Sequence, residues 1–232
     1  MRLLNGAFAD SNTVVTVLYL NEQQELLYRG NINNVRIRNT PIDKTNKIYV
    51  IGDSHVRNFG SKLNSLTDSK TKCFVNCTPG GTSEIITKDL NSHVTHLQPN
   101  DTLVYIAGTN DIYQTNNGPA ITPSNDAKNN VLSHALHTNV IIANVPRRLD
   151  IPVLNQGVDT YNNNLYSIVK DFKSNCEFPE RVKLLDFNAI MTDEMYKKDG
   201  LHSKELGKDE ICSKIIEIVN QFKNQTFLEL ET

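Results

Sequence analysis

Five side chains or amides scattered over 150 positions have the types that acyl transfer requires: Ser54, Gly80, Asn110, Asp199 and His202. A serine hydroxyl is a poor nucleophile at neutral pH and needs an adjacent base to take its proton. His202 can be that base, and Asp199, three residues before it, can fix the imidazole tautomer and stabilise the imidazolium. One turn of chain then carries both base and orienter. Attack on a carbonyl builds negative charge on oxygen, which calls for preorganised donors. The backbone N–H of Ser54, the N–H of Gly80 and the side-chain amide of Asn110 are the three candidates. Glycine suits the second position because it lets an amide approach a reacting centre closely.

Each of these residues also has a bland reading. Ser54 follows a strand-like run in "NKIYVIGDSHVRNFG" and precedes a polar, helical stretch, so its hydroxyl would serve equally as a helix N-cap. Gly80 and Gly81 could form a simple turn, Asp111 is expected in an Asx turn, and "DGLH" alone reads as a surface turn. Asn110 is expected to point inward, and Asp53 to tie its own loop together. What decides among these readings is the set of elements that must bring the distant residues together.

Short apolar runs recur from residue 47 onward: "KIYVI" (47–51), "CFVNC" (73–77), "TLVYIAG" (102–108), "NVIIANVP" (139–146) and "VKLLDFNA" (182–189). Three are nearly continuous in aliphatic residues and Tyr, the pattern of strands covered on both faces. Helix-period stripes lie between them: Ile85, Ile86, Leu90, Val94 and Leu97; Val158, Tyr161, Leu165, Val169 and Phe172; then Ile211, Ile215, Val219 and Phe222. The alternation predicts a three-layer α/β/α sandwich around a five-stranded parallel sheet, spanning residues 46–232. In such folds ligands sit beyond the carboxyl ends of the strands. "GDSH", "PGGTSE" and "GTND" follow the first three runs, and "DGLH" follows the fifth. All four blocks therefore converge on one rim, and the nucleophile reading of Ser54 takes precedence over the cap.

The ordered set Gly-Asp-Ser (52–54), Gly80, Gly-Thr-Asn-Asp (108–111) and Asp-Gly-Leu-His (199–202) resembles the SGNH, or GDSL-type, hydrolase superfamily over roughly residues 46–223. The resemblance implies a flavodoxin-like fold and serine esterase or acyl-hydrolase chemistry with no metal or other cofactor. More narrowly, "GDSHVRN", "TPGGTSEII", "DTLVYIAGTNDI" and "DGLHSKELGK" are similar to esterase domains encoded by some animal retroelements and by related insect sequences. Two departures stand out. Many members of the superfamily carry an apolar residue after Gly-Asp-Ser, where this chain has His55, a ring that either reaches substrate or faces solvent. Gly80 and Gly81 are adjacent, so the donor assignment can slip by one; the alignment of "GTS" favours Gly80. His55, Gly81 and Arg147 are candidate substrate contacts, although Arg147 and Arg148 also read as an ordinary exposed loop.

Composition narrows the partners. Charged residues are 22% and hydrophobic ones 38% of 232, ordinary for a globular chain. A formal net charge of −2 provides no broad basic footprint for nucleic acid. No apolar run approaches the roughly 20 residues of a membrane span. The N-terminus lacks a signal-like apolar stretch, and four scattered cysteines form no C-x-x-C pair, so a reducing, intracellular setting without structural zinc is expected. His93 with His96, and His134 with His137, lack a completing ligand and read as solvated helix faces. Polar rim loops without Trp argue for a small acyl group, such as acetyl, on a polar small-molecule ester rather than a long lipid chain. Residues 1–45 read as a β extension, from "TVVTVLYL", "LLYRG" and "NVRIRN", and as a candidate interaction or dimerisation element. The competing function is a catalytically silent module of the same fold that binds RNA or a protein partner.

Overall fold

The computed structural model describes residues 46–230, with side chains through residue 224; the expected N-terminal β extension lies outside the described residues. Five parallel strands form the central sheet: β1 (Asn46–Gly52), β2 (Thr71–Cys77), β3 (Thr102–Ile106), and, beyond an antiparallel hairpin of β4 (Ile112–Thr115) and β5 (Gly118–Ile121), β6 (Asn139–Ala143) and β7 (Val182–Leu185). The sheet order is β2-β1-β3-β6-β7. The chain leaves β1 toward one edge and returns to β3 on its other side, so the strand order reverses between β1 and β3. That is where open parallel sheets offer a ligand crevice.

Alternation along each strand builds the two outer layers. Ile48, Val50, Val104, Ile106, Ile141 and Leu185 face one side, against α1 (Phe59–Leu66) and α7 (Glu205–Leu230) through Phe59, Leu63, Ile211, Ile215 and Phe222. Ile51, Leu103, Tyr105, Val140, Ile142 and Val182 face the other, against Leu90, Val94, Val131, Leu165 and Val169. Those residues come from α3 (Leu90–Val94), α4 (Asn125–Ser133) and α5 (Asn155–Asn175). The five-stranded parallel sheet with helices on both faces is thus the architecture expected from the sequence.

Three details differ from expectation. The stripe from Ile85 to Leu97 is broken into α2 (Ser83–Thr87) and α3, with Asp89 leading the second helix out of register, and Ile85 is left exposed while Leu90, Val94 and Leu97 are buried. The hairpin β4–β5 occupies a stretch that reads as polar loop, turning through Asn116 and Asn117 into Gly118. His134 is buried in a turn after α4 rather than solvated; burial, with His137 beside it, pushes its pKa down to about 4.

Candidate active site

The site assembles at the carboxyl end of β1 and β3. After Gly52 the chain enters a single 3-10 turn, Ser54–Val56, and the residue that caps it is Asp53, whose Oδ1 accepts the His55 N–H at 2.9 Å. Helix α1 starts three residues after Val56, with Asn58 at its N-cap. Ser54 therefore caps neither element, and its hydroxyl is free for another partner. That partner is His202: Nε2 lies 2.9 Å from Ser54 Oγ.

His202 and Asp199 sit in a tight turn before α7, and several contacts hold its shape. The Lys197 N–H donates to the His202 carbonyl at 2.7 Å, and Tyr196 bridges Ser203 across the turn. Gly200 has φ +66, a left-handed conformation that favours glycine, and a Cβ there would lie 2.6 Å from the Asp150 nitrogen. Its carbonyl accepts N–H bonds from Leu149 and Asp150, which ties the turn to the loop after β6. Asp199 divides its oxygens between two tasks. Oδ1 accepts the backbone N–H groups of Leu201 and His202, each at 2.9 Å, while Oδ2 lies 2.9 Å from His202 Nδ1. What burial Asp199 has raises its pKa, but the two N–H bonds and the His202 ring outweigh that and hold it at about 2. With Asp199 ionised, Nδ1–H donates to it and Nε2 is left to accept the Ser54 proton. The hydrogen-bonded chain Ser54–His202–Asp199 is complete.

The second and third blocks are locked together. Asp111, expected in an Asx turn, is instead buried, and its carboxylate accepts the Ser83 N–H at 3.1 Å and the Ser83 hydroxyl. Burial raises its pKa while the Ser83 bonds oppose that. Tyr161 of α5 places its hydroxyl 3.1 Å from the same Ser83 oxygen. Asn110, partly exposed, donates one N–H to the Gly81 carbonyl at 3.1 Å. Its amide carries a second donor. Gly81 is a turn residue here: it is buried, its N–H donates to the Thr78 carbonyl at 3.0 Å, and a Cβ would press on Thr78. Gly80 has φ +73, is exposed, and its N–H meets no acceptor among the described residues. The ambiguity between the two glycines thus favours Gly80 as the available donor.

His55 and Arg147 each have two readings from the sequence, and the structure bears on both. His55 does not face solvent: it is 3% exposed, with its ring 5.8 Å from the His202 ring and 6.4 Å from Phe187. Neither ring nitrogen has a hydrogen-bond partner among the described residues. Burial lowers its pKa against the opposing pull of Asp53. The imidazole is packed as an apolar side chain would be. Because a buried unpartnered polar group costs about 1–3 kcal/mol, His55→Leu is expected to stabilise the fold by about 1 kcal/mol. A rise in the urea midpoint at unchanged slope would show it; a fall would mean that the ring nitrogens are satisfied in solution. Arg147 pairs with Asp159 of α5 at 3.0 Å and is directed to that helix.

A cavity of about 240 Å³ opens beside Ser54, lined by Ser54, His55, Arg57, Lys197, Asp199, His202, Ser203 and Lys208. Arg57 and Lys197 carry no signal in the sequence that separates them from ordinary surface charges.

The sheet and its flanking helices superimpose on those of several solved hydrolase structures. A GDSL-like lipase from Bacteroides thetaiotaomicron superimposes with a TM-score of 0.59 at 17% identity, over 78% of this chain and 91% of that one. A family 3 carbohydrate esterase from Clostridium thermocellum gives 0.57 at 17%, over 77% and 98%. A carbohydrate acetylesterase family member from Sinorhizobium meliloti gives 0.57 at 13%, over 77% and 99%. No protein-family model matches the sequence, and no curated protein matches it. At these identities the likeness establishes the fold: the chain has the three-layer architecture of the SGNH/GDSL hydrolases.

Proposed function

We propose that this chain is a serine esterase that cleaves short acyl esters. The observation that carries the reading is the unbroken chain from Ser54 Oγ to His202 Nε2, and from His202 Nδ1 to Asp199 Oδ2, each contact 2.9 Å. Ser54 Oγ attacks the ester carbonyl carbon as His202 Nε2 takes its proton. The oxyanion is met by the N–H groups of Ser54 and Gly80 and by the second amide donor of Asn110. Collapse breaks the bond to the alcohol oxygen, which leaves with the proton from His202. Water then repeats the sequence on the acyl-serine, restoring the hydroxyl and releasing the acid. Polar rim loops without Trp, at residues 113–126 and 147–157, support acetyl or a similarly short acyl group on a polar alcohol.

The reading is tested by incubating the folded protein with a fluorophosphonate and with p-nitrophenyl acetate. A single adduct mapped by peptide mass to Ser54, together with release of p-nitrophenol, is expected. No adduct and no release would return the chain to the silent binding module, for which a salt-dependent shift of RNA would then be the positive sign.

A further inference from the structure

The cavity beside Ser54 has more positive charge than the triad accounts for. Of its lining residues Arg57, Lys197 and Lys208 are cationic, and Asp199 is the carboxylate among them. Asp199 is taken up by His202. Lys208 is held by Glu205 at 3.0 Å. Glu205 also meets Lys62, which pairs in turn with Asp209, so those two cations and two carboxylates balance. Asp53 lies beneath the floor, fully buried, with burial raising its pKa. Arg57 and Lys197 remain: both are exposed, and neither forms an ion pair among the described residues. They reach the same cavity from two separate segments, one following the 3-10 turn after β1 and the other in the turn that carries His202.

The cavity's position says which half of an ester it would hold. A leaving alcohol oxygen must lie within reach of His202 Nε2 to collect its proton. His202 and Asp199 form part of this cavity's wall, whereas Gly80 and Asn110, the proposed carbonyl-oxygen donors, do not. About 240 Å³ exceeds several times the roughly 30 Å³ that one water occupies. That is room for a carboxylate or phosphate on a short stem. We propose that this cavity is a subsite for an anionic group carried on the alcohol portion of the substrate, held between Arg57 and Lys197. The proposal rests on the esterase reading for which half of the ester it assigns, but not for the binding of the anion.

Binding and turnover are therefore measured apart. Ser54→Ala protein is titrated by NMR with 4-acetoxyphenylacetate, its phosphonomethyl counterpart and its neutral carboxamide; wild type is assayed for hydrolysis of the same three. With two partly solvated ion pairs, about tenfold tighter binding of an anion over the carboxamide is expected, weakening as salt is raised. Adding Arg57→Gln and Lys197→Gln should bring the ratio to near one, and Arg57→Glu with Lys197→Glu should invert it. Both positions are exposed, so the fold tolerates either pair. Comparison of the carboxylate with the phosphonate identifies the better anion. Equal binding of anion and carboxamide in Ser54→Ala, or a preference that survives the double Gln variant, overturns the subsite. If wild type hydrolyses none of the esters while the anion preference persists, the esterase reading fails and the subsite stands.

Discussion

Ser54→Ala is expected to lower kcat for p-nitrophenyl acetate by about 10⁴–10⁶-fold, because removing the nucleophile of a triad removes nearly all that its members achieve together. The variant should still fold. Ser54 is half-buried, caps no helix, and among the described residues makes its side-chain bond to His202 alone, whereas the 3-10 turn is closed by Asp53. Loss of one such bond costs about 0.5–1.5 kcal/mol. Circular dichroism and the urea midpoint should therefore stay close to wild type while turnover and fluorophosphonate labelling vanish together. Wild-type turnover in a folded Ser54→Ala protein would place the nucleophile elsewhere and end the triad reading.

The second large effect is expected from Asp199→Asn, a loss of about 10³–10⁴-fold in kcat. The division of the Asp199 oxygens makes the substitution selective. Oδ1 of the new asparagine can keep both backbone N–H bonds from Leu201 and His202, so the turn retains its shape. The other terminus becomes an NH₂ group facing His202 Nδ1, where Oδ2 now accepts. An amide donor there stabilises the tautomer with its proton on Nε2, and that nitrogen can no longer take the Ser54 proton. The measurement is kcat with Ser54 intact, beside the ring ¹⁵N shifts of His202. A tautomer change accompanied by lost turnover is the expected pair. A tautomer change with full turnover would show that His202 is not the base.

The rim was legible in the sequence because strand ends constrain it. Four short polar blocks each followed an apolar run, and a parallel sheet brings such ends to one side whatever the intervening helices do. The glycine ambiguity and the role of Ser54 as a cap needed coordinates, since both depend on which backbone N–H is already engaged. Asp53, not Ser54, has the φ and ψ of a capping residue. The hairpin β4–β5 was hidden because its strands are four residues each and only partly buried, too short for alternation to show. Arg57 and Lys197, 140 positions apart, acquire meaning only when the fold sets them across one cavity. The sequence offers substrate or solvent for the His55 ring, and its burial beside Phe187 and His202 is visible only in the packing.

The carbonyl of Gly200, accepting from Leu149 and Asp150, joins the turn that carries His202 to the loop that leaves β6. These segments come from different crossings of the sheet, and each would otherwise be free to change length by itself. Stapled together they form one inheritable unit. A graft that replaces residues 147–151 to give the rim a new selectivity would also move the imidazole, so loop exchange at this edge has to carry the Asp-Gly-Leu-His turn along with it. The opposite edge, where Asp111 and Ser83 join their own two blocks, forms a second such unit. Change of selectivity in this scaffold is therefore easiest at lining side chains such as Lys197, which is exposed and whose side chain takes no part in the Gly200 or Asp111 contacts.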